Sequence, residues 1–282
     1  IHDRSNEVLV VELDGGIVER VILQRQILLA AGLLFLAIIE RLFLIPEQVT
    51  ESLNSGRQQQ QLDACGMSPE FTVSVEVLFF VLIAGEVGDA AKLVNLRGKL
   101  MQTAVPQGVG AMAAILGLDD AKVIELCAQA TAAGEGSVEA ANYNAQGQVV
   151  VAGNKDRVEA VMALAKENGG KAIALPVSVP SHCSLMKPAA EQFAPALEQT
   201  AIELPRIPVL QNVGAQAATS VDELRQALTA QLYESVQWTK TLQFLQDEGV
   251  EYIVECGPGN VLTNLAKRLP NIQKALPLDS QS

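Results

Sequence analysis

Only two of the 282 residues are histidines, and imidazole is the side chain that exchanges protons near neutral pH. His2 is expected to fray with the chain terminus, which leaves His182 as the candidate general base or acid. It stands in Val177-Ser178-Val179-Pro180-Ser181-His182-Cys183. The plainer reading is a structural histidine bonded to a backbone carbonyl, and the residues themselves leave both open. Cys183 is a poor nucleophile candidate: neighbouring side chains in an extended segment point to opposite faces, so a buried inert thiol fits better. Arg97 lies in an amphipathic helical stretch, Lys92 to Gln102. There it is either a surface charge or a two-pronged clamp for a carboxylate. Gly257-Pro258-Gly259 sits between a strand and a helix, but lacks the Lys-Ser/Thr and the spacing of phosphate loops, so close strand–helix packing explains it better.

The elements that must position these residues are clearest in the middle of the chain. Gly110–Leu118 reads as a strand, and Asp119–Ala133 as a helix with Val123, Leu126, Cys127 and Ala130 on one face. Strands follow at Val138–Tyr143 and Gln148–Ala152, separated by the turn Asn144–Gly147. Asn154 can cap a helix running to Asn168, with Val158, Val161, Met162 and Ala165 as its stripe; Lys171–Val179 returns as a strand. The order β-α-β-β-α-β is ferredoxin-like, and it places His182 where the chain leaves that unit. Domain junctions favour clefts.

The flanks read as a second, larger α/β domain interrupted by this insertion. Helices are expected at Pro188–Ala201, Ser220–Leu232, Trp238–Asp247 and Val261–Leu269, with strands at Ile207–Asn212 and Val250–Glu255. Such alternation implies a mostly parallel, doubly covered sheet. Nearer the start, Val8–Leu13 reads as strand and Ile17–Leu44 as helix, with no motif that dictates chemistry.

Composition bounds the function classes. With 20 basic against 32 acidic residues the net charge is −12, and aromatics are 4%, which argues against nucleic acid. Four scattered cysteines without a C-x-x-C pair make zinc improbable and suit a reducing cytosol. The longest apolar run, Ile27–Ile39, falls short of the ~20 residues that span a bilayer. No signal-peptide layout precedes it, so the expected location is cytoplasmic.

Six collinear segments together resemble the malonyl-CoA:acyl-carrier-protein transacylase family: LVNLRGKLMQTAVPQGVGAMAAILGLDDAKV (93–123), NYNAQGQVVVAGNKDRVEAV (142–161), LPVSVPSHCSLMKPAAEQF (175–193), PVLQNVGA (208–215), QLYESVQWTKTLQFL (231–245) and ECGPGNVLTNLAKR (255–268). The resemblance covers about residues 84–276. It implies an α/β-hydrolase-like large domain with a parallel sheet (1–107 and 179–282) and a ferredoxin-like insertion (108–178). It also implies ping-pong transfer of malonyl from CoA to the phosphopantetheine thiol of acyl carrier protein through a seryl ester, with no cofactor or metal and a monomeric enzyme. On this basis His182 is the base, held by the backbone carbonyl of Gln231, and Arg97 pairs with the malonyl carboxylate. Asn142, Asn144 and Met101 fall near the acyl or pantetheine arm.

Before Ala84 the family pattern stops abruptly. The glycine-glutamine loop and the G-H-S-x-G nucleophile elbow have no counterpart. Counting back from Ala84-Gly85 puts the serine at Ser74, where Glu76 replaces the elbow's second glycine. An inactive relative, another nucleophile, or residues 1–83 that differ from the native protein's would each account for the break; its sharpness favours the last. The alternatives of different class are a catalytically impaired carrier-protein-binding module and a serine thioester hydrolase. An acidic carrier protein would need a local basic patch on this acidic chain, drawn from residues such as Lys166, Lys171, Lys187, Lys240, Lys267 and Arg268.

Overall fold

The structure, a computed structural model, describes residues 87–282 except 178, 206–207, 256–259, 269–271, 273 and 278–282. The expected strand at 8–13, the helix at 17–44, Ser74 and the Gly257-Pro258-Gly259 loop lie outside the described residues. The described elements run α1 (Val87–Ala104), β1 (Gly110–Leu116), α2 (Asp120–Ala132), β2 (Val138–Ala145), β3 (Gln148–Asn154), α3 (Lys155–Glu167) and β4 (Lys171–Ala174). A 3-10 turn at Ser184–Met186 leads into α4 (Lys187–Gln199), α5 (Val221–Ala230), α6 (Trp238–Asp247), β5 (Tyr252–Glu255), α7 (Val261–Ala266) and β6 (Lys274–Pro277).

The first four strands form an antiparallel sheet in the order β2-β3-β1-β4, the arrangement of a split β-α-β unit. Alternation along the strands gives the sheet two apolar faces. Ala113, Ile115, Val149 and Val151 pack under α2 and α3, against Val123, Leu126, Cys127, Val158 and Val161. Met112, Val150, Ala152 and Ala141 face the other way and close over Cys183. Burial from both sides explains why Val149-Val150-Val151-Ala152 is an unbroken apolar run rather than an alternating one.

Helix α2 starts where the sequence indicates, with the Asp119 carboxylate accepting the Lys122 amide at 2.7 Å. Asn154 stands at the start of α3 but makes no side-chain cap; its Oδ1 accepts the Ser137 amide instead, at 2.8 Å. β4 is shorter than expected. Leu175 still donates to Met112 at 3.0 Å, and the described pairing with β1 ends there. The strand expected at 207–212 is reduced, among the described residues, to one bridge between Leu210 and Ala217. Gly214 and Ala215, both in the left-handed region, fold the chain back too soon for a longer ladder.

Outside the four-stranded sheet, the described strand pairing is the parallel pair β5–β6. It is packed with α6 and α7 around Trp238, Leu242, Leu245, Ile253 and Ala266. A separate core joins α1, α4 and α5 through Leu93, Val94, Met101, Phe193, Leu197, Leu224 and Leu228. The molecule is therefore α/β, with an antiparallel and a parallel component.

One close approach links the sheet to the His182 loop. A Cβ added to Gly110, at the start of β1, would stand 2.5 Å from Cδ and Cγ of Pro180, whose ring is tied to its own backbone and cannot swing aside. Gly110→Ala is expected to lower the unfolding free energy by about 1–3 kcal/mol in urea titration, the usual cost of overpacking. An unchanged midpoint would show that the loop yields freely.

Candidate active site

His182 adopts φ 62°, a left-handed conformation uncommon for a residue with a side chain, so its surroundings must hold it there. They do so from the end of α5. That helix leaves its last carbonyls without intrahelical donors; the one at its cap, Gln231, receives the His182 loop together with the carbonyl of Leu232 just beyond. The His182 amide donates to Leu232 O at 3.0 Å, and its Nδ1 lies 2.7 Å from Gln231 O. A carbonyl only accepts, so Nδ1 carries the proton and Nε2 keeps its lone pair.

The imidazole is buried, and its pKa is pressed from the ordinary 6.5 down to about 4. Burial is the main cause, followed by the positive charge of Arg97; the Gln231 carbonyl acts the other way, favouring the charged ring. At neutral pH His182 is therefore a neutral base.

Arg97 is entirely buried on α1, on the same face as Leu93, Val94 and Met101. It is not the surface charge of the plainer sequence reading. Its field reaches His182, so the structure brings His182, Arg97 and Gln231 together. Met101 is one turn beyond Arg97, in the core that contains Val179, Met186 and Leu232. Asn142 on β2 bridges to Val236, five residues beyond Gln231, while Asn144 follows on the same strand next to a register shift. Ser74, outside the described residues, has no position relative to these groups.

Cys183 behaves as its alternation with His182 indicates. It is fully buried, its Sγ donates to Pro180 O at 3.1 Å, and burial pushes the thiol up to about 12. The buried Glu255 carboxylate accepts the amides of Leu262 and Thr263 at 3.0 and 2.8 Å, so the N-terminus of α7 already has its anion. Sequence reasoning missed Glu139 and Ser184. The signal was available: period-two alternation puts Glu139 on the sheet face of Ala141, turned toward the His182 loop rather than toward α2 and α3. Among the described residues, no three His, Cys, Asp or Glu side chains converge as a metal site, and no helix is long and apolar enough to cross a membrane.

Residues 82–272 match the family model described as the acyl transferase domain, and the chain belongs to that family. It is 49% identical over 196 residues to the malonyl CoA-acyl carrier protein transacylase of Escherichia coli (strain K12), covering 69% of this chain. Among solved structures it resembles FabD from Acinetobacter baumannii, with a TM-score of 0.69, 74% identity and 70% of this chain covered. It also resembles a malonyl-transacylase in complex with a type II PKS acyl-carrier protein, with a TM-score of 0.66, 41% identity and 72% of this chain covered. The chain spans 62% of the length of the Escherichia coli relative, 63% of FabD and 64% of the transacylase in the complex.

The depressed pKa of His182 has a consequence for stability. The unfolded chain takes up its proton near pH 6.5, the folded chain only near pH 4, so stability is complete above the first value and falls as pH drops toward the second. The loss is about 3 kcal/mol. Urea unfolding between pH 7 and pH 4 should show this component in the wild type and lack it in His182→Gln. Identical pH profiles for the two would mean that the imidazole is not held neutral.

Proposed function

We propose that this chain transfers a malonyl group from malonyl-CoA to the phosphopantetheine thiol of an acyl carrier protein, through a seryl ester, in fatty-acid synthesis. The observation that carries the reading is the neutral imidazole of His182, its Nδ1 proton on Gln231 O, beside the buried Arg97. Membership of the acyl transferase family and the names of its malonyl-transacylase relatives support the same chemistry.

In the first half-reaction the serine oxygen attacks the thioester carbonyl carbon while Nε2 of His182 takes the hydroxyl proton. The tetrahedral intermediate collapses, the carbon–sulfur bond breaks, and the imidazolium returns its proton to the departing CoA sulfur. The second half-reaction runs the same steps in reverse with the carrier thiol as acceptor. The nucleophile assigned by family resemblance is Ser74. Arg97 pairs with the free carboxylate of the malonyl group, while Asn142, Asn144 and Met101 line the acyl or pantetheine arm.

The pairing with Arg97 does more than select the acyl group. The charge of Arg97 disfavours an imidazolium, and a bound carboxylate offsets that charge. Malonyl therefore strengthens the base that acts on it, whereas acetyl does not.

The reading includes a division of the chain into an α/β-hydrolase-like large domain, residues 1–107 and 179–282, and a ferredoxin-like insertion, residues 108–178. The sheet order β2-β3-β1-β4 supports the insertion, and the parallel pair β5–β6 supports a parallel sheet in the large domain. A monomer in the cytoplasm belongs to the same proposal.

Arg97→Ala is expected to lower kcat/KM for malonyl transfer by roughly 10²–10³-fold, the cost of removing one partner of a buried charge pair. Acetyl transfer should change by less than about threefold. Parallel assays with malonyl-CoA and acetyl-CoA decide it; equal loss for both would remove the carboxylate role.

A further inference from the structure

We propose that Glu139 is a positioning residue for His182, and that strand β2 sets where the imidazole stands relative to its carbonyl partner. This rests on the reading of His182 as the base. The Glu139 carboxylate, on β2, holds the residue two places beyond that histidine: Ser184 donates its amide to Oε2 at 3.2 Å and its hydroxyl to Oε1. With that proton committed, the Ser137 hydroxyl donates to Ser184 Oγ across 3.2 Å. Ser137 is fixed in turn by Asn154, amide to Oδ1 at 2.8 Å and carbonyl from the Asn154 amide at 2.8 Å. Cys183, between His182 and Ser184, is sealed into the face of the same sheet by Met112, Ala141, Val150 and Ala152.

The other half of the histidine–carbonyl pair is held by the same strand. Val236 donates to Ala141 O at 2.8 Å and accepts from the Tyr143 amide at 2.9 Å, which fixes the segment leading away from Gln231. Glu139 and Ala141 stand two places apart on β2, at the point where its register against β3 shifts, so the segments carrying His182 and Gln231 O are both indexed against one short piece of this strand. A left-handed residue persists only where its surroundings over-determine it. On the His182 side the bonds to Leu232 and Gln231 fix the amide and the ring, and the Glu139 contacts fix the exit of the loop.

An ionised carboxylate offers only acceptors, which suits two donors from one residue. Glu139→Gln keeps one acceptor oxygen and turns an N–H group toward the second donor, so it should retain part of the effect. Glu139→Ala removes both contacts, and Ser184→Ala removes only the hydroxyl contact.

The test labels histidine with 15N. The chain has two histidines, and a His2→Gln variant identifies the His182 signals. In the wild type the Nδ1 proton bonded to Gln231 O should appear at low field and exchange slowly with water. Well below the melting temperature, Glu139→Ala should speed that exchange by about tenfold or more, with Ser184→Ala and Glu139→Gln falling between. The double variant Glu139→Ala/Ser184→Ala should be no worse than Glu139→Ala alone. In the transfer assay, kcat should fall by roughly 10–100-fold with KM for malonyl-CoA within about threefold, as for a misplaced catalytic group. Wild-type exchange in Glu139→Ala, even with a lowered melting temperature, would overturn the positioning role. Faster exchange in that variant, in a protein whose wild type transfers no malonyl, would uphold the positioning and overturn the proposed function instead. If Glu139→Ala does not fold, Ser184→Ala decides by the same signal.

Discussion

The 2.7 Å hydrogen bond between His182 and the carbonyl of Gln231 fixes three properties of the site at once. It selects the tautomer, because a carbonyl can only accept. It aims the free lone pair of Nε2, because the ring cannot rotate without losing the bond. It also counters, without reversing, the two influences that keep the ring neutral, burial and the charge of Arg97. Serine hydrolases often use a carboxylate in this role, which raises the pKa of the histidine by a full charge. A neutral carbonyl gives the orientation without that charge. It suits a site that already holds Arg97 and that, in the proposed function, receives a carboxylate with its substrate.

The bond joins residues 49 apart in the chain, so the fold must bring two segments to a common place and keep them there. The end of α5 supplies the acceptor because helix termini leave carbonyls unsatisfied. The loop after β4 supplies the donor, and Pro180 packed against Gly110 holds that loop to the sheet. Between them, β2 makes contacts with both segments. The antiparallel sheet thus serves the site through backbone and polar contacts, and its remaining apolar surface is taken up by α2 and α3 on one face and by Cys183 on the other.

Much of this was legible in the residues. The face of α2 was readable because Val123, Leu126, Cys127 and Ala130 repeat at helical spacing, and those four are the buried residues of that helix. Trp238–Asp247 was bounded correctly because its apolar positions repeat cleanly. His182 and Arg97 were identifiable as chemical types, but only their burial shows that each feels the other. The failures are non-local or conformational. The strand expected at 207–212 has β-forming residues, yet a turn at Gly214-Ala215 limits its pairing. Asn154 is placed to cap a helix, but the Ser137 amide competes for its oxygen. Alternation puts Glu139 on the sheet face turned away from α2 and α3, but its partner Ser184 is 45 residues away and no local pattern names it.

The central claim is that a neutral His182 activates a serine toward the malonyl thioester. The most direct measurement is the acyl-enzyme itself. The protein is mixed with malonyl-CoA without acceptor, quenched in acid at increasing times, digested, and its acylated peptide located by mass. The account predicts release of one CoA per chain and one malonyl ester on the peptide containing Ser74, forming roughly 10²–10⁴-fold more slowly in His182→Ala, the usual worth of a general base. An ester that forms equally fast without the imidazole, or a folded wild type that forms none, would contradict it.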